Sequence, residues 1–379
     1  MKALTRLVPA AAAALAVAAF TAPAASAATK PPTSHGADGA VFALTDNTAG
    51  NAVAAYYRAA NGTLTPAGTY ATGGLGGILT GSVVDHTASQ GALAYDQDHG
   101  LLLAVNPGSN TVSVFFVHGD RLTLSQVLPS GGDFPVSVTV HGNHAYVLNA
   151  LGGGSLYGYR ITGGRLTPMT GSSRALSLGT TAASPFTATP GQVAFTPDGT
   201  QLLVTTKGAS NAVDVFSVKA DGRLSASPAV NSLPGDVPFA VDFDQAGRVV
   251  LAEAGPSAIA TFTLSNGGQL TQEDAQSTGQ MATCWVVRAG QYVYTANAGS
   301  GSVSGYNIGH AGALTALGNT TTDAGTVDPA SAAGGRFLYV RTGAAGLVDE
   351  FAVGAGGALT PLGSVTVPGA AGGEGIAAA

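Results

Sequence analysis

The stretches GLLLAVNPGSNTVSVFFVHGDRLTL, TQLLVTTKGASNAVDVFSVKADGRLS and GQYVYTANAGSGSVSGYNIGHAGALTAL repeat one order of cues. A run of β-branched or aromatic residues leads to a polar residue and a Gly/Ser/Asn turn. A second run then ends in Phe or Tyr, and a Gly turn is followed by Leu-Thr or Leu-Ser. Each copy encodes three strands and two turns. The Leu of the last signal recurs at Leu64, Leu122, Leu166, Leu224, Leu270, Leu314 and Leu359, which marks seven units spaced 44 to 58 residues apart. A typical unit of about 45 residues is the length of a four-stranded propeller blade. Period-2 alternation and Gly at every turn exclude a helical solenoid. The pattern predicts an all-β, seven-bladed β-propeller of four-stranded antiparallel blades, one domain over residues 40–379.

The first unit opens at GAVFALTDN, already a second strand, while GEGIAAA at the other end stands where another inner strand would begin. The C-terminus is therefore expected to complete the first blade and close the ring, removing exposed sheet edges. The two longest spacings come from insertions, GGLGGILTGSVVDHTAS before Gln90 and GSSRALSLGTTAASPFTAT before Pro190. Strand parity puts both on the face that carries the loops after the second strands.

The N-terminal stretch MKALTRLVPAAAAALAVAAFTAPAASAATK has Lys2 and Arg6, an apolar run and small residues at Ala25-Ser26-Ala27. It reads as a signal peptide over 1–27, followed by a flexible segment over 28–39, so an extracellular protein without membrane insertion is expected. Without Lys2 and Arg6, 13 basic residues face 21 acidic ones, a net charge of about −8. Nucleic acid is excluded as a partner, because nothing here would neutralise phosphates. The single cysteine, Cys284, allows no internal disulfide. A monomer is expected, stabilised by ring closure.

The phrases SQGALAYDQDHGLLLAVNPGSNTVSVF, PGQVAFTPDGTQLLVTT and CWVVRAGQYVYTANAGSGSVSGY resemble the secreted branch of the lactonase-like seven-bladed β-propeller family, relatives of 6-phosphogluconolactonase and carboxymuconate cyclase. The resemblance covers the chain after Gly39 and implies that scaffold. It also implies a catalytic His after Pro at the head of an inner strand, with Arg and Glu on neighbouring blades. The corresponding stretches here read FPVSVTV, TPGQVAF, VPFAVDF, MATCWVV and DPASAAG, without His or Arg. The family's catalytic roles therefore do not carry over at Val136, Gly191 and Phe239.

One polar residue per blade closes the second strand: Asn47, Asn106, Asn149, Thr206, Glu253, Asn297 and Arg341. As a ring at the channel mouth they would orient a small polar ligand; Asn and Thr there equally start turns by bonding their own backbone. Glu253 as general base and Arg341 as carboxylate clamp are the catalytic candidates, against an ordinary solvated residue or ion pair. Gln192 could offer its amide to the channel or bond the neighbouring blade. The pair His141 and His144 falls in a hairpin turn without a third ligand, and the acids of YDQDHG read as turn chemistry, so no metal is expected. No nucleophile elbow, zincin helix or P-loop occurs, and no cofactor is implied. Cys284 beside Trp285 reads as a buried thiol. The expected function is a binding or scaffold propeller with a small-ligand site at the channel mouth. The alternative is a hydrolase or isomerase acting on a lactone or cyclic acid.

Overall fold

The computed structural model describes residues 39–379. The expected signal peptide, and all of the 28–39 segment except Gly39, lie outside the described residues.

Seven antiparallel sheets form from the described residues. Their inner strands are Ile376–Ala378, Leu93–Asp96, Pro135–His141, Gln192–Phe195, Pro238–Phe243, Thr283–Ala289 and Thr326–Ala332, for blades 1 to 7. Each inner strand touches the next and the last touches the first, so the sheets close into a ring. Closure falls where the sequence places it: Ile376–Ala378 pairs antiparallel with Ala40–Leu44, Val41 opposite Ala378 and Ala43 opposite Ile376. Blade 3 departs from the four-stranded plan, since Arg174–Ala175 adds a short fifth strand against its third strand.

Burial follows the radial order. Second strands are covered on both faces by neighbouring blades, and Leu101–Asn106 is buried at every position. Such strands read as continuous apolar runs. Outer strands open at the marker leucine or one residue before it, buried at Leu64, Leu122, Leu166 and Leu314, and then show exposed side chains to solvent. Blade 4 differs: Leu224 is buried, but its outer strand starts only at Ala229.

Two repeated devices tie blade to blade. The pairing of third with outer strand shifts register just before a buried aromatic in blades 1, 2, 5, 6 and 7, at Tyr56, Phe115, Phe262, Tyr306 and Phe351. A bulge at a fixed position bends each blade alike and turns that ring inward. In addition, the hydroxyls of Tyr146, Tyr294 and Tyr339 donate to the carbonyls of Gly222, Gly357 and Gly62, each in the turn before the next blade's outer strand. Gly62 and Gly357 have φ of +92° and +79°, backbone that a side chain would strain.

Removing Ile376–Ala379 would leave Ala40–Leu44 as an open edge at the centre of the molecule. If closure contributes about 4 kcal/mol, the melting temperature should fall by roughly 6 °C, with aggregation on heating. Circular dichroism melts and light scattering check this, and an unchanged midpoint would remove closure as the lock.

Candidate functional site

Cross-strand register decides which polar residues are equivalent. The residue facing the first position of the third strand is Asn106, Asn149, Glu253, Asn297 and Thr342 in blades 2, 3, 5, 6 and 7. Thr45 and Thr206 hold that place in blades 1 and 4 through the bonds Thr45 N to Ala52 O and Thr206 N to Ala212 O. Asn47 and Arg341 are thus displaced from the sevenfold position. Arg341 stands one residue early and therefore faces the other side of its sheet.

The true ring is spent on structure. Asn106 donates to Thr111 and Ser113 and accepts from Asn51 in blade 1. Asn149 donates to the Ser130 carbonyl, and Thr206 to the Ala212 carbonyl. Asn297 donates to Ser302 and Ser304 and accepts from Thr283. All four are buried, whereas Asn47 is exposed and accepts from the Ala49 N–H of its own turn. Gln192 Oε1 accepts from Val241 N at 2.6 Å, bonding blade 4 to blade 5. Glu253 is buried, and burial, helped by the charge of Asp236, pushes its carboxyl up to about 7.

Arg341 acts at the closure. It is fully buried, with Nη1 on Leu44 O and Nη2 on Gly373 O, both at 2.8 Å, so it clamps blade 7 to both chain segments of blade 1. Around it stand Asp46, Asp328 and Glu374. Burial raises all three carboxyls, Asp46 and Asp328 to about 7. One oxygen of each is buried without a partner.

Glu374 also holds the first insertion, accepting from the Thr87 hydroxyl and from Ser89 N at 3.1 Å. The next residues reach several blades at once. Ser89 Oγ donates to Val136 O, and Ser89 O accepts from Trp285 Nε1. Gln90 exchanges two bonds with the Val286 backbone through its side chain, while its own backbone meets Gly191 O and Ser137 Oγ. Bonds to blades 3, 4 and 6 and to the closing segment of blade 1 are possible only on the ring axis. Ser89-Gln90 thus fills the position that the sequence left as an open channel mouth.

On the face that carries the insertions, space remains beside this plug. A cavity of about 630 Å³ is walled by blades 4, 5 and 6 and by both insertions, with Phe186, Phe239, Cys284 and Trp285 among its lining. The residues immediately after the polar ring, Lys207, Ala254 and Ala298, face it, and the ring itself does not. The insertions meet over this face, where Phe186 N donates to Thr80 O and Thr80 Oγ1 donates to Ala182 O. Lys207 fastens both, with Nζ at 2.6 Å from Ala88 O and 2.7 Å from Phe186 O, and lies 5.1 Å from the Phe239 ring centroid. Burial pulls its ammonium down to about 8.

Lys207 escaped sequence reading because TTKGASN looks like an exposed turn. The one signal was its place directly after a polar ring position. Its φ of +47°, with +48° at Val237 and +55° at Ala282, puts three non-glycine left-handed residues in the cavity wall. Phe134, before the inner strand of blade 3, has the same conformation at φ of +61°, so at Val237 and Ala282 it belongs to the repeat.

Cys284 also faces the cavity, and burial raises its thiol, so it stays protonated. On the opposite face, His141 and His144 pair across a hairpin turn, with His141 Nε2 near Pro197 O. Among the described residues, no group of three or more His, Cys, Asp or Glu is placed to hold a metal. No helix among them is long and apolar enough to cross a membrane.

Asp46 and Asp328 keep their protons in the fold up to about pH 7 and lose them near the usual 3.8 when unfolded. Between those values the folded state binds more protons, so the stability they contribute is lost as pH rises through 7. His86 and His144, lowered by burial, oppose this only below 6.5. The melting temperature should therefore fall by several degrees from about pH 5 to about pH 7.5, and Asp328→Asn should flatten the slope. Calorimetric melts across that window check both.

No protein-family profile matches the chain, and no curated protein is significantly similar to it. Solved structures do match. The periplasmic gluconolactonase of Pseudomonas aeruginosa superposes with a TM-score of 0.72 at 18% identity, over 90% of this chain and 98% of that one. A Lactobacillus plantarum protein gives 0.69 at 20%, over 90% and 99%. A Bacteroides fragilis protein provisionally named 6-phosphogluconolactonase gives 0.69 at 19%, over 89% and 97%. The chain therefore has the fold of the lactonase-like, 6-phosphogluconolactonase-related seven-bladed β-propellers.

Proposed function

We propose that this chain is a binding propeller that takes up a small molecule in the cavity under its two insertions. The observation that carries this reading is the cavity itself: large, concave, aromatic-walled and roofed by chain that the repeat does not need. A hydrolytic site needs an acid or base and an oxyanion stabiliser converging on one point. Glu253 is held near pH 7, as a general base requires. It stands in blade 5, while Arg341, in blade 7, has both terminal nitrogens occupied by carbonyls. The signal-peptide reading of residues 1–27 supports export, and ring closure without a disulfide supports a monomer.

Proton release on a panel of lactones should stay at the uncatalysed rate with the wild-type protein. Small molecules that raise its melting temperature should have a much smaller effect on Ala298→Trp, which sets an indole into the cavity. Turnover above background that is lost in both Glu253→Gln and Arg341→Ala would replace this reading with a lactone hydrolase or isomerase.

A further inference from the structure

If the cavity is the binding site proposed above, its polar groups limit what can enter. Its cation is already engaged. Lys207 gives two protons to carbonyls, stands against the Phe239 ring and is 1% exposed. No arginine lines the cavity. A phosphate or a free carboxylate would therefore be desolvated without a compensating donor, which is costly. A sugar lactone brings several hydroxyls, and each one buried without a partner loses its hydrogen bonds to water.

Of the polar side chains that remain, Thr187 is exposed to solvent and Asp85 is buried. Asp85 lines the cavity, and its Oδ1 accepts from Ser82 Oγ at 2.9 Å. No donor among the described residues reaches its Oδ2. A donor on the ligand can fill that place. An ammonium would set a second cation beside Lys207, whose charge already acts on Asp85; a neutral hydroxyl would not. The entrance continues the apolar wall, for Val83 is 79% exposed and Met281, beside the lining residue Ala282, is 63% exposed. Exposed apolar side chains at a cavity rim mark the approach of an apolar partner.

We infer that the mouth cavity binds a neutral alcohol or phenol with an aromatic or alicyclic body, its hydroxyl donating to Asp85 and its ring lying against Phe186 and Phe239, with Trp285 behind Phe239. The inference rests on the binding reading, and the test separates the two.

Trp285 is the only tryptophan in the chain and stands buried behind Phe239, their ring centroids 4.8 Å apart, so its emission reports occupancy. The purified protein is titrated with 2-naphthol, naphthalene, glucono-δ-lactone and inorganic phosphate. Saturable quenching by 2-naphthol is expected at an affinity roughly three- to ten-fold above that of naphthalene, the worth of one hydrogen bond. The lactone and phosphate should leave the emission unchanged. In Asp85→Leu the ratio of the two naphthyl affinities should fall to about one while naphthalene still binds; a merely structural disturbance would weaken both and keep the ratio. Equal affinities in the wild type, or an unchanged ratio in the variant, overturn the role of Asp85. Saturable quenching by glucono-δ-lactone without quenching by 2-naphthol overturns the ligand class and leaves the binding function standing. No saturable quenching by any of the four overturns both.

Discussion

A ring of sheets must be shut somewhere, and here one arginine stands at the joint. Arg341 reaches from blade 7 to Leu44 O on the first described strand and to Gly373 O just before the last strand. These are the two segments whose pairing completes blade 1. Taking a guanidinium out of water is costly, and it persists only where its donors and charge are matched. Two carbonyls take its terminal nitrogens, leaving Nε without a partner, and the surrounding Asp46, Asp328 and Glu374 match its charge. Three carboxylates exceed what one cation needs, which is why burial holds them partly protonated.

The mouth of the molecule depends on that joint. Glu374 binds Thr87 and Ser89, so the closing segment also positions the first insertion. Ser89-Gln90 then ties several blades together along the axis, and Lys207 fixes the second insertion against the first. Closure, axial plug and cavity roof form one connected network of buried polar groups. Deep in a protein such a network rigidifies when satisfied and is expensive where it is not.

The scaffold was legible because it is periodic. Five of the seven marker leucines are buried footholds of their blades, Leu270 and Leu359 being half-buried, and the missing inner strand of the first unit correctly points to the C-terminus. Gln192 could bond its neighbour or face the channel, and its bond to Val241 N realises the former. The site was less legible for two physical reasons. Choosing Arg341 by polarity ignored that one step along a strand reverses the face, so a side chain read as channel-lining serves the joint. Asp85 and Lys207, which define the cavity, depend on the path of insertions that carry no period.

The same insertions explain why the site lies where it does. An open propeller channel presents all seven inner strands to a ligand on the axis, the arrangement that a ring of polar second-strand ends would serve. In this chain Gln90 takes the axis with its own amide, satisfying the Val286 backbone as a bound molecule otherwise would. The polar ring, no longer facing a ligand, bonds within and between blades. On this face the space lies where the insertions arch over blades 4, 5 and 6, and there the lining positions include the small residues one step beyond the ring, Ala254 and Ala298 among them. Moving off the axis thus exchanges a polar site for an apolar one, and a single carboxyl, Asp85, carried in by the roof, is the group left to choose among ligands.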